Sequence, residues 1–113
     1  MGKNRISKGT GLLGAIQLAG TDVIKGITVG SVSINPASIA AVTRLAHEAT
    51  VTGAKVGDIV LFSPPAALND DLIFCGSRVT DVNDVAVYIY NPTGGAIDDG
   101  ALTWDYIWFD LTD

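Results

Sequence analysis

VTGAKVGDIVLFSPP, residues 51–65, is the stretch on which the reading of the fold depends. Gly53 and Gly57 enter positive φ at no steric cost, so residues 53–56 can reverse the chain tightly. Ile59 to Phe62 is a short apolar run whose side chains leave water on both faces of a strand. Pro64 and Pro65 end it, because proline donates nothing to a sheet ladder and Pro64 holds Ser63 extended. The stretch predicts a strand end, a turn, a buried strand and a stop. It reads as a hairpin at the centre of the core.

Composition bounds what surrounds that hairpin. A chain of 113 residues has the size of one domain, long enough to bury roughly two-thirds of the surface its unfolded form exposes. Cys75 is its single cysteine, so no disulfide within the chain is expected and nothing argues for an oxidising compartment. Apolar residues are 48% and charged ones 17% of the chain, oily enough to predict that a partner covers part of the surface. A net charge of -5 argues against nucleic acid as a ligand, since clustered Lys and Arg supply affinity for phosphates. Oily runs are broken by Gly, Pro or Asp well short of the roughly 18 residues a membrane helix needs, so no membrane association is expected. Ile6 stands where a myristoylation pattern wants Ser or Thr, and no signal-peptide cleavage pattern is present.

The first 26 residues differ from the rest. Lys3, Arg5, Lys8 and Lys25 are four of the 7 basic residues, whereas Asp22 alone of the 12 acidic ones lies there. Gly2, Gly9, Gly11, Gly14, Gly20 and Gly26 oppose a helix, at about 1 kcal/mol each relative to Ala. Leu12, Leu13, Ile16 and Leu18 are too oily for a solvated tail, yet burying them at about 2 kcal/mol apiece cannot offset the order of some twenty residues. The expectation is an extended arm over residues 1–26 that takes its order from a neighbouring surface. A β-domain over 27–113 follows.

Residues 27–34 alternate and read as an edge-like strand. Asn35-Pro36 is a helix N-cap followed by proline at the first helical position, and Ile39, Val42 and Ala46 share a helical face. Against that helix, a period of two runs from Leu45 to Thr52, which predicts a strand over 45–52. Further strands are expected over 72–80 and 85–90, joined at Asp81-Val82-Asn83-Asp84, whose Asn and Asp suit a tight reversal. Asn91 to Gly95 is another turn, and 102–111 the last strand. In it Trp104, Tyr106 and Trp108 point one way and Ile107, Phe109 and Leu111 the other, so both faces call for burial. The Trp104/Tyr106/Trp108 face is the expected oligomer interface. The fold class is all-β: an antiparallel β-sandwich or jelly-roll-like barrel with an extended N-terminal arm.

Catalytic patterns are absent from the sequence. His47-Glu48 is half of a zinc-protease motif, but Val51 occupies the second histidine's place. With one His and one Cys, a nitrogen–sulfur metal site has no ligand set. Ser63 lacks the Gly-x-Ser-x-Gly frame of a nucleophile elbow. Cys75 reads as a small buried thiol in mid-strand. Asp81, Asn83 and Asp84 lack the glycine and distal Glu of a calcium loop, so they read as an Asx turn. Neither a cofactor, a metal nor an enzymatic role is expected.

GAKVGDIV from Gly53, Pro64-Pro65, the strand end at Val79, NPTGGAID from Asn91 and LTW from Leu102 together resemble small β-rich modules of tailed-bacteriophage virions, found in head decoration (cement) proteins and in tail or fibre proteins. The resemblance spans roughly residues 28–109 and leaves out the arm. It implies a homotrimeric decoration protein on the outer surface of the capsid, stabilising capsomer contacts. Its partners would be the major capsid protein and its own copies, with no nucleic acid and no membrane. The arm residues Lys3, Arg5, Lys8, Leu12, Leu13, Ile16 and Leu18 would lie on the shell. The alternative is a tail or fibre module whose loops at 64–71 or 91–100 contact a host glycan.

Overall fold

The computed structural model describes residues 16–18 and 21–111, with side chains from Ile24 onward. It is all-β: two antiparallel sheets packed on one another, with no helix among the described residues. The strands are β1 (Ile16–Leu18), β2 (Thr21–Ile34), β3 (Thr43–Thr50), β4 (Ile59–Ser63), β5 (Ile73–Asp81), β6 (Asp84–Asn91) and β7 (Leu102–Leu111). One sheet has the order β1-β2-β7-β4, the other β3-β6-β5.

Strand β2 begins at Thr21, so the boundary expected after residue 26 falls inside it. Gly26 opposes Asp110 of β7 and Ile24 opposes Leu111. Glycine weakens a helix far more surely than it forbids a sheet ladder, and the pairing with β7 carries the strand through it.

The residue 51–65 stretch makes no hairpin, because β3 pairs only with β6 and β4 only with β7. Two successive turns replace the expected one. Ala54 N donates to Val51 O at 3.1 Å and Asp58 N to Lys55 O at 3.0 Å, with Gly53 (φ 100°) and Gly57 (φ 103°) each third in its turn. That position requires positive φ in a type II turn, which explains both glycines. The double turn lifts the chain from one sheet to the other. Asn83, itself at φ 69° in the β5–β6 turn, clamps the first of the two. Its Oδ1 accepts from Gly53 N at 2.8 Å, and its N–H donates to Ala54 O at 2.8 Å.

The helix signals of residues 36–44 lose to one buried amide. Asn91 is fully buried, and its Nδ2 donates to Ile39 O at 2.9 Å and Gly95 O at 2.8 Å. Ile39 and Ile97 exchange both backbone bonds, at 2.8 and 3.0 Å. With its carbonyl and N–H so engaged, Ile39 cannot join a helical ladder.

The core lies between the sheets. Trp104 is 1% exposed and meets Phe62 and Phe74 edge-on, with centroids 6.4 and 5.5 Å apart. Tyr106 continues the aromatic row against Phe62 at 5.6 Å. Ile34, Ile39, Val51, Val85, Val87 and Ile89 close around it.

Candidate binding surface

The strongest polar cluster sits where the double turn meets the end of β7. Asp58, with its side chain 1% exposed, accepts from Trp108 Nε1 at 3.0 Å, Leu111 N at 3.1 Å and Lys55 N at 3.1 Å. Lys55 Nζ completes the set, bonding Asp58 at 3.3 Å and also Asp110. Burial alone would raise the Asp58 carboxyl. The donations from Trp108, Leu111 and Lys55 outweigh it and hold the group below the usual carboxylate range. Lys55 is pushed up, first by its bond to Asp110, with partial desolvation opposing and Asp58 adding to the rise. A carboxylate so fully engaged has no lone pair to spare for a substrate proton, so the cluster is an anchor for the end of β7.

Burial lowers the His47 pKa, with the Glu48 charge working against it. No group of three or more His, Cys, Asp or Glu among the described residues could hold a metal ion. Cys75 is exposed, contrary to the buried thiol the sequence suggests. The register of β5 against β6 shifts between Phe74 and Gly76, and the extra residue of that bulge is turned out of the ladder.

The outward faces of the two sheets have opposite character. On β3-β6-β5 the Arg44 guanidinium lies 4.6 Å from the Tyr88 ring centroid and that of Arg78 5.9 Å, while Thr80 donates to Glu48 at 3.1 Å. This face carries charged side chains, with Ile73 as its one large exposed aliphatic residue among the described residues. On β2-β7-β4 the outward side chains are apolar toward one end. Val29, Ile107 and Leu61 face each other across three strands, and Ile27, Phe109 and Ile59 form the adjoining row. Val29 is 75% exposed and Leu61 55%; Ile27, Ile59 and Ile107 are also exposed, and Phe109 is half-buried. Beside the first row lies an open depression of about 310 Å³ bordered by Ser63, Asp105 and Tyr106. Contiguous apolar surface on a soluble domain marks a binding site more often than chance.

The interface expected at Trp104, Tyr106 and Trp108 is therefore turned inward. Strand β7 lies between β2 and β4, and its Trp104 face is the one that packs on the opposite sheet. Tyr106 and Trp108 are half-buried against the same core. Trp108 rests on Gly53, where an added Cβ would come within 2.7 Å of its ring. The exposed apolar face is the other one, carrying Ile107. Of the residues assigned to the arm, Ile16 and Leu18 fall in β1, and Lys3, Arg5, Lys8, Leu12 and Leu13 lie outside the described residues. Sequence reasoning missed Val29, Ile59 and Leu61, although Val29 alternates with the Val32 side of β2 and could have been placed once that side was known to be core.

Compared with known proteins, the chain matches no family model, no curated protein and no solved structure.

Proposed function

We propose that the protein is a structural component of a phage-type virion, a decoration (cement) protein that docks on the outer surface of the capsid and stabilises contacts between capsomers. The observation that carries the reading is the exposed apolar face of Ile27, Val29, Ile59, Leu61 and Ile107 on a domain whose other sheet face is charged. Such a molecule has one side suited to water and one suited to another protein. Covering each of those side chains contributes about 1 kcal/mol, and many copies on a shell add these increments. The basic, oily segment with Lys3, Arg5, Lys8, Leu12 and Leu13 would supply a second contact to the major capsid protein, made easier once the face has docked.

The glycan-binding alternative loses its natural platform. Trp104 is buried and Trp108 is committed to Gly53 and Asp58, so neither offers a ring face for a sugar to stack on.

Leu61→Lys tests the reading, because Leu61 is exposed and its replacement leaves the core intact. Attachment of the full chain to purified undecorated capsids should weaken about tenfold or more, with the thermal midpoint unchanged. Undiminished attachment by this variant, or no attachment by the parent chain, would remove the proposal.

A further inference from the structure

We infer that β2 is a self-pairing edge, and that two copies of the chain join along it about a two-fold axis at Val29 to make one continuous sheet. Strand β1 reaches β2 only over residues 21–24, whereas β7 flanks it to Ile34. On the side away from β7, residues 25–34 therefore have no partner strand among the described residues. Unpaired N–H and C=O groups on such an edge are a template for another strand.

The usual protections of an edge are missing from this one. Residues 25–34 contain no proline and one charge, Lys25, and the register with β7 is unbroken from Gly26 to Ile34. Short, charged or bulged edges resist pairing; past the bulge at Lys25 this one is uncharged and regular from Gly26 to Ile34.

A second copy is the occupant that fits. In an antiparallel pair, residues facing one another must share a sheet face, so the axis passes through a residue and not between two. An axis at Thr28 would drive residues 32–34 into the lane β1 already fills beside residues 21–24. Moving it to Val29 clears β1 almost wholly and sets Val29, the most exposed of the large apolar side chains, against its own copy. Ile27 then faces Ser31 of the second copy, and Thr28 faces Gly30. No like charges meet. An isologous contact of this kind closes on itself.

The inference stands apart from the shell-binding reading, since either can fail alone. The full chain should sediment at twice its 11.7 kDa at micromolar concentration. In a Cys75→Ser background, Val29→Cys should form a covalent dimer under mild oxidation, and Val42→Cys, also well exposed but on the connection before β3, should not. Val29→Lys sets two ammonium groups together at the axis and should sediment as the monomer, whereas Leu61→Lys, on the far edge of the same sheet, should remain dimeric. A monomeric parent chain, as would result if residues 1–15 cover the edge themselves, overturns the inference. Equal oxidation at positions 29 and 42, or a dimer that survives Val29→Lys, overturns it too.

Discussion

Asp58 shows how one side chain can hold a fold together while looking like a site. It gathers the turn at Lys55, the indole of Trp108 and the backbone of Leu111, points far apart in the chain. Asp58→Asn keeps the shape but turns an amide donor toward these donors, and should lower stability by about 2 kcal/mol in urea unfolding. The pH dependence has a definite sign. Because the folded carboxyl titrates below its ordinary value of 3.8, its contribution is present above that pH and is lost as pH falls through the lower folded value. The parent chain should lose stability below about pH 3.8 more steeply than Asp58→Asn, measured by thermal unfolding across the acid range. Asn91 is a second case. Asn91→Ala removes the amide that bonds Ile39 O, Gly95 O and Thr93 N, with Gly95 O keeping only Thr93 Oγ1, and should cost about 2–4 kcal/mol by the same measurement.

The elements divide by how local their causes are. Strand β7 was legible to the residue, and β4, β5 and β6 to within one, because alternation and turn chemistry are written in neighbouring positions. Asp81 to Asp84 formed the expected reversal for the same reason. What could not be read was pairing. The double turn at Gly53 and Gly57 looks like a hairpin locally, and only the distant partners β6 and β7 show that it crosses between sheets. The two faces of β7 were likewise visible as alternation, yet which one is core depends on Phe62 and Phe74 from elsewhere in the chain. The start of β2 was missed because the glycines up to Gly26, which oppose a helix, read together with the basic residues as an extended arm. Gly30, inside the expected strand, makes room for an aromatic ring, since an added Cβ there would lie 2.6 Å from Tyr106 Oη. Gly30→Ala should displace that ring and destabilise by about 1–3 kcal/mol, with a changed near-ultraviolet circular dichroism spectrum; an unaltered spectrum would show that Tyr106 does not need the gap.

At the scale of the molecule, the oily composition has found its explanation in position. Much of the apolar excess fills the core, and of the large apolar side chains left exposed Ile27, Val29, Ile59, Leu61 and Ile107 share one sheet face, whereas Val42, Val56, Ile73 and Val82 stand apart from it. The Leu61→Lys and Val29→Lys variants address different parts of that sheet, β4 on one side and β2 on the other. Scoring both for capsid attachment and for sedimentation separates docking from self-pairing: Leu61→Lys should fail only the first, whereas Val29→Lys must fail the second.

The bulge that turns Cys75 outward gives the molecule a ready optical ruler. It is the single thiol of the chain, and it stands on β5, at the margin of the sheet opposite β2. A dye coupled there reports on approach and tumbling from the other sheet, so assembly can be followed in real time on the unmutated polypeptide.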